Sequence, residues 1–599
     1  MATTKDVVKG GAFLIDDSRP SDVFTPEGFD DEQIMAGRTC ADFVEREVGP
    51  RMDEIEAGNH ETTVELLRAA GELGLLGADV PEAYGGLGLD KVTTTLITEK
   101  LARAASFGVS FGAHVGIGTL PIVFYGNEDQ KTRYLPDLAS GNKLAAYALT
   151  EPDAGSDATG GKASARLSDD GRFYVLNGEK QWITNSGFAD IFIVYAKVDG
   201  ERMTAFIVER GFMGLTVGPE FQKMGLHGSS TCSVFMDDVP VPVENVLGEV
   251  GKGHLIAFNI LNIGRWKLAA GCVGSCKALL ETSALYAAER KQFGRPIASF
   301  PAIQQKLAQM AARTFALESV VYRTAGLFDG ALAASDPGGP EGAAQAIREY
   351  AVEASINKVL GSEVLDFVAD EAVQIHGGYG YIEGSDVERA YRDSRINRIF
   401  EGTNEINRML IPGTLLRRAM KGELPLTAAI QRVQQELTSL QPAEDGADAG
   451  VLAAEIAQVA NLKRAALMVA GLGVQKYLMR TEEEQEFLLS VADLVILTYA
   501  WESALLRTRQ MAERGGLDVD AAIDLTLLFG DGAAETAEAT ARRALAGMEQ
   551  GDALQAQLGL VRRLFRRTPV NTVEVGRRIA QRVLAAGGYP TFGAPGGAA

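Results

Sequence analysis

The stretch RINRIFEGTNEINRML (395–410) holds one acid, Glu401, between Phe400 and Gly402, immediately before a helix-like run. Ile406, Met409 and Leu410 recur at helical spacing, so Thr403 or Asn404 reads as the N-cap and Glu401 lies in the loop before it. Near a helix N-terminus the macrodipole favours negative charge, and in isolation that accounts for the acid. Chemistry becomes the better reading because of its company elsewhere: YALTEPDAGSDATG (147–160), KQWITNSG (180–187) and AERKQFGRPI (288–297).

Several common chemistries are missing. There is no G-x-x-x-x-G-K-[ST] loop, no G-x-G-x-x-G after a strand, no H-E-x-x-H and no nucleophile elbow, and HGGYGYIEG has the wrong glycine spacing. Any nucleotide cofactor is held by another arrangement. Cys272 and Cys276 stack one helical turn apart, but with five histidines in the chain and none near them they read as core rather than metal ligands.

The elements that must position these groups follow from periodicity. From about residue 26 to 143 the pattern is helical, as in CADFVEREVGPRMDEI. Between 144 and 253 the period changes to that of strands, and Asn177-Gly178 between two extended runs predicts a hairpin. Helical spacing returns over 254–420. A polar, acidic linker (421–450), a helical extension (451–586) and a flexible Gly/Pro tail (587–599) follow.

At 599 residues, 46% hydrophobic and 23% charged, the chain has room for several domains. The net charge of -21 opposes nucleic-acid binding over the whole surface and a purely electrostatic membrane partner. The N-terminus shows neither a secretory nor a transit pattern, no apolar run reads as a membrane span, and four cysteines without disulfide spacing suit reduced thiols; the expected location is cytoplasmic. Between Arg542 and Arg582 lie nine arginines and three acids, which reads as a solvated or subunit-packing face, with membrane-surface docking as the alternative.

Taken together, YALTEPDAGSDATG, KQWITNSG, AERKQFGRPI, QIHGGYGYIEG and RIFEGTNEI resemble the acyl-CoA dehydrogenase family. ERGFMGLTVGP, VPVENVLGEVGKG, NILNIGRWKLAAG and the helical extension look like its very-long-chain branch. The resemblance implies an α+β, mainly α fold: an N-terminal helical domain, a middle β-sandwich or barrel-like domain, a C-terminal four-helix bundle and the extension. It implies FAD-dependent dehydrogenation of long- or very-long-chain acyl-CoA to trans-2-enoyl-CoA in fatty-acid β-oxidation, with electron-transferring flavoprotein as acceptor. An acyl-CoA oxidase, a dehydrogenase of another chain length and a non-enzymatic assembly role stay as alternatives.

By position, the resemblance implies Glu401 as the base that removes the α-proton. Tyr147, Leu149 and Thr150 would border the flavin, Gly155 and Ser156 its phosphate and the substrate, Trp182 one flavin face, and Thr184 the hydride-accepting locus. Arg290, whose planar fork suits phosphate, and Phe293 would reach the FAD of a neighbouring subunit, together with Gln374, Gly377, Gly378 and Thr403, implying at least a homodimer. Asn262 and Arg265 would lie near the CoA arm, Phe400 and Gly402 beside the substrate. Some relatives carry their base immediately before that arginine; here the position is Gly264, so the base falls to Glu401. A membrane route through the start of the extension is disfavoured by the short acidic stretch there.

Overall fold

The computed structural model describes residues 7–335, 340–439 and 450–592. The first helical domain is built from Asp31–Phe43, His60–Glu72, Lys91–Leu101, Ala105–Gly112 and Glu128–Ser140. Asp30, Asn59, Asp90 and Asn127 cap four of these by accepting the N3 amide, which satisfies a donor the helix itself leaves free. A π-turn, Ala113–Thr119, carries the chain on to Leu120–Tyr125.

The middle domain is an eight-stranded sheet: β1 Ala145–Ala148, β2 Ser164–Leu167, β3 Phe173–Thr184, β4 Ile191–Val198, β5 Arg202–Glu209, β6 Leu215–Val217, β7 Thr231–Pro242 and β8 Val246–Leu247. Its order is β6-β7-β3-β2-β4-β5-β8, with β1 parallel to β4. Alternate residues of β4 face opposite ways, as a strand requires. Phe192, Val194 and Ala196 fill the sheet's own core, while Ile191, Ile193 and Tyr195 join the core of the helices.

The hairpin expected at Asn177-Gly178 is not there. Both residues lie inside β3, which pairs with β7 from end to end with register shifts between Leu176 and Gly178 and between Lys180 and Ile183. Gly178 takes a φ of 140°, and a Cβ on it would come within 2.9 Å of the Ala163 backbone. Asn177 holds the opposite strand, accepting from the Asp238 amide at 3.0 Å. The dipeptide that usually turns a chain here serves close approach and a bulge instead.

The third region packs Gly253–Glu289, Pro301–Ala334, Ala351–His376 and Asn404–Met420 together. The stretch expected as a linker, 421–450, contains the helix Leu426–Ser439, which buries Leu426, Ala429, Val433 and Leu437 at helical spacing; residues 440–449 lie outside the described residues. The extension consists of Ala453–Tyr477, Gln485–Arg514, Val519–Met548, Gly551–Leu564 and Thr572–Ala586. The tail expected to be flexible from 587 is packed at its start, where Phe592 is buried against Phe315; residues 593–599 lie outside the described residues.

Two stretches, Lys91–Tyr125 and Gln485–Arg514, do reach the length and apolarity of a membrane span, and burial of 72% and 78% of their apolar windows in the protein accounts for that composition. Of the basic segment, Arg567 pairs with Asp531, and Arg578 and Arg582 both pair with Asp524. Arg562, Arg563 and Arg566 are exposed.

Candidate active site

Thr403 caps the helix Asn404–Met420, accepting from the Ile406 amide at 3.3 Å. Glu401 and Gly402 ahead of it both take positive φ, 57° and 83°, a conformation that glycine adopts freely and glutamate does not. The turn is held from outside. Arg265 Nε donates to the Glu401 carbonyl at 3.1 Å, and Asn407 Nδ2 donates to the carbonyls of Glu401, Gly402 and Thr403 at 3.3, 2.9 and 3.1 Å. Asn262 steadies the arginine, its Oδ1 accepting from Nη1 at 2.9 Å.

The carboxylate is aimed away from these anchors. Its Oε2 is buried and has no hydrogen-bond partner among the described residues. It lies over Gly264, where an added Cβ would fall 2.8 Å from Oε2. Burial pushes the Glu401 carboxyl up to about 7, against the opposing pull of the Arg265 and Lys358 cations. Burial likewise brings Arg265 down to about 10 and Lys358, whose Nζ donates to Asn404 Oδ1 at 2.6 Å, down to about 8.

Glu401 stands at one end of a largely apolar cavity of about 420 Å³. One wall is the helix Gly253–Glu289, presenting Gly264, Leu268, Gly271, Ser275, Ala278 and Thr282; from first to last that is about 27 Å along the axis. The facing wall comes from Lys91–Leu101 and Ala105–Gly112, with Thr94, Ile97, Leu101, Gly108 and Gly112. Among the described residues, a Cβ on Gly112 or Gly271 would meet nothing within 4 Å, so these glycines border open space rather than a tight helix contact. Phe400 and Thr184 also line the cavity.

Of YALTEPDAGSDATG, Tyr147 lies close enough to Glu401 and Arg265 to feel their charges, while none of its residues lines the cavity. Tyr147 is buried, edge-on to Tyr195 at 5.2 Å, and its phenol is kept well above its ordinary range chiefly by burial. Leu149 is buried and Thr150 half-buried; their carbonyls accept from Lys180 Nζ at 3.0 Å and the Gln181 amide at 2.9 Å, which ties the segment to β3. Gly155 and Ser156 are exposed. Trp182 is 57% exposed at a φ of 59°, so a large apolar ring is held out from a bulged strand.

A second set lies elsewhere. Arg290, Phe293, Gly377 and Gly378 line a cavity of about 710 Å³, with the Arg290 guanidinium 5.3 Å from the Tyr379 ring centre. Phe293 is 92% exposed, and a Cβ on Gly377 or Gly378 would meet nothing within 4 Å among the described residues. Gln374 is exposed in the last turn of Ala351–His376 and does not line this cavity. Arg265 and Arg290 are 25 residues apart along one helix and its end, about 37 Å, so the two sets do not meet within one chain.

Three groups of residues escape a reading of the sequence. Asp79 is buried between Lys91 Nζ, at 2.5 Å, and Lys267 Nζ, and these two cations hold its carboxyl far below the ordinary range despite burial. Glu151 clamps the start of the middle domain, bonding Lys180 Nζ at 2.6 Å and the Ala163 amide at 3.1 Å. Lys358 and Asn407 complete the seat of the Glu401 turn. Lys267 within the apolar RWKLAAG was a signal, since a buried lysine needs a partner, but nothing local names Asp79.

The chain matches the acyl-CoA dehydrogenase N-terminal domain over residues 30–142, the middle domain over 146–239 and the C-terminal domain over 251–416, with a further acyl-CoA dehydrogenase C-terminal domain over 461–563. It belongs to the acyl-CoA dehydrogenase family, the FAD-dependent flavoenzymes that act on acyl-CoA. A probable acyl-CoA dehydrogenase of Bacillus subtilis (strain 168) is 54% identical over 98% of this chain and 99% of its own. The human very long-chain specific mitochondrial enzyme is 42% identical over 59% of this chain and 52% of its own. Among solved structures, an acyl-CoA dehydrogenase complexed with FAD from Bacillus anthracis superimposes with a TM-score of 0.96 at 54% identity, over 98% of this chain and all of that one. Butyryl-CoA dehydrogenase from Megasphaera elsdenii gives 0.59 at 39% identity, over 65% of this chain and 99% of its own.

Proposed function

We propose that this acyl-CoA dehydrogenase acts on long-chain acyl-CoA, with Glu401 as the base that takes the pro-R α-proton. The observation that carries the reading is the buried Glu401 Oε2, without a hydrogen-bond partner among the described residues, at the head of the long cavity. The Cα–H bond breaks with its proton passing to Oε2, the β-hydrogen leaves as hydride from the opposite side, and the Cα–Cβ double bond forms. FAD, when bound against Trp182 and Thr184, supplies the acceptor for that hydride. The residues present fit such a group: Gly155, Ser156 and Trp182 are exposed, Thr184 lines the cavity, and the Arg290 cavity is open and carries a cation.

The remaining work falls to the protein. The backbone N–H of Glu401 is the donor offered to the thioester oxygen, which gains negative charge as the α-proton leaves. Arg265 and Asn407 fix the turn that sets the direction of the carboxylate, and burial makes it a stronger base. The chain-length reading is supported by the cavity walls. A hydrocarbon core of about 30 Å is two acyl tails deep, so a wall of about 27 Å accommodates one long tail.

In the same reading the enzyme is a homodimer in which Arg290, Phe293, Gly377 and Gly378 complete the neighbour's FAD site, electron-transferring flavoprotein is the acceptor, the pathway is β-oxidation and the setting is cytoplasmic. The deciding experiment is a series of kcat/KM values from butyryl- to stearoyl-CoA, with electron-transferring flavoprotein or oxygen as acceptor. A maximum at long chains with the flavoprotein is expected. A maximum at butyryl-CoA, or turnover supported equally by oxygen, overturns the corresponding part.

A further inference from the structure

The outer side of the cavity is braced by buried charges that lead into the extension. Glu99, on the wall helix Lys91–Leu101, turns its carboxylate away from the cavity to Lys277 Nζ, at 2.7 Å, on the opposite wall helix. Lys277 also pairs with Glu318; Glu318 binds Arg507 Nη1 at 2.6 Å, and Arg507 Nη2 binds Glu27 at 2.6 Å. The order of charges alternates, acid, base, acid, base, acid. Arg507 lies on the extension helix Gln485–Arg514, its side chain 2% exposed, between the rings of Phe315 and Phe592 at 4.4 and 5.3 Å. Tyr589, past the last helix of the extension, donates to Glu318 at 2.8 Å.

The brace acts where the two wall helices touch. A Cβ on Gly274 would fall 2.0 Å from the Glu99 carbonyl, so backbone meets backbone there and the Glu99–Lys277 pair closes the same seam. On either side of Lys277, Ser275 and Ala278 line the cavity, as do Leu101 and Ala102 beyond Glu99. This seam lies 13 residues, about 20 Å, along the helix from the seat of Glu401 at Gly264. A short acyl chain ends well before it.

We propose that the C-terminal extension tunes which acyl lengths the enzyme accepts, with Arg507 as a positioning residue that fixes the inner wall of the cavity through Glu318 and Lys277. The proposal rests on the reading of this cavity as the acyl site. Without the guanidinium, Glu318 keeps Lys277 and Tyr589 as its partners among the described residues and draws the ammonium from Glu99, so the seam between the wall helices loosens. Only a chain long enough to touch that seam registers the change.

The test compares kcat/KM for hexanoyl-CoA and palmitoyl-CoA in the flavin-loaded wild type, Arg507→Met and Arg507→Lys. In Arg507→Met the palmitoyl value is expected to fall about tenfold and the hexanoyl value less than about twofold, a coupling of the size packed networks transmit. FAD content should stay unchanged, and Arg507→Lys should recover most of the loss. An equal fall for both substrates, or no fall for either, overturns the proposal. If Arg507→Met does not yield folded flavoprotein, Tyr589→Phe removes only the phenol donor to Glu318, and the same split, about twofold, is expected; equal effects again overturn it. A wild type that dehydrogenates neither substrate overturns instead the reading of the cavity on which this one stands.

Discussion

The carboxylate of Glu401 occupies the space that a side chain at position 264 would need: a Cβ there would stand 2.8 Å from Oε2 and 3.0 Å from Oε1. The glycine and the acid are therefore one device. Gly264→Ala is expected to push the carboxylate aside and lower kcat at least about tenfold, since misplacement by an ångström can cost more than that. FAD content should be kept. A variant with wild-type kcat would show that the carboxylate moves freely and that Gly264 is not its seat.

Glu401→Gln keeps the shape and loses the proton acceptor. Loss of a general base costs about 10²–10⁴-fold, and the upper end is expected because hydride cannot leave while the α-proton stays. The measurement is anaerobic mixing with palmitoyl-CoA while the flavin absorbance is followed. Bleaching within about tenfold of the wild-type rate would return Glu401 to an ordinary acid near a helix end.

The same carboxyl makes stability depend on pH. Its folded value of about 7 lies above the ordinary 4.5, so the folded state holds the proton more tightly than the unfolded one. The resulting stability is complete below pH 4.5 and is lost as pH rises through about 7, at most about 3 kcal/mol in all. Relative to wild type, Glu401→Gln should melt progressively higher between pH 5 and pH 8. A constant difference in Tm across that range would contradict the assignment, as would a wild-type kcat/KM that does not rise with pH through about 7.

Asp79→Asn removes the one carboxylate between Lys91 and Lys267, whose side chains are 12% and 11% exposed. Two ammonium groups then face each other across a buried neutral amide, and a loss of about 3–5 kcal/mol is expected. Denaturation of the two proteins side by side checks this. A shift equivalent to less than about 1 kcal/mol would mean that water reaches the lysines.

Arg290→Ala should weaken retention of FAD without altering the Glu401 site, because the arginine lies about 37 Å along the helix from Arg265. Gel filtration with absorbance at the flavin and protein bands measures it. Full retention would remove the support for shared sites, and a stable tetramer in light scattering would contradict the dimer.

How far the sequence carried depended on how local each signal was. The turn at Glu401 was legible because its parts lie together: an acid, a glycine, a capping threonine and a helical run. The seat at Gly264 was legible only through the resemblance, since no spacing rule links two positions 137 residues apart. Asn177-Gly178 misled because the strongest local turn signal was overruled by β7 pairing along the whole of β3. Leu426–Ser439 was hidden by the acidic stretch beside it. Arg507 looked like any arginine on a helix; its burial depends on Glu27 and Glu318, which periodicity along one helix does not reveal.

The bond between Glu27 and Arg507 joins residues 480 positions apart. A ribosome adding about 5–20 residues per second makes Glu27 roughly 25–100 s before Arg507 exists. Phe13, which ends against Tyr499, waits similarly. The opening segment can meet Glu349, Tyr350 and Glu353 earlier, but its contacts with Tyr499 and Arg507 must wait. That last fastening joins the segment to the extension, a connection no earlier part of the chain can make for it.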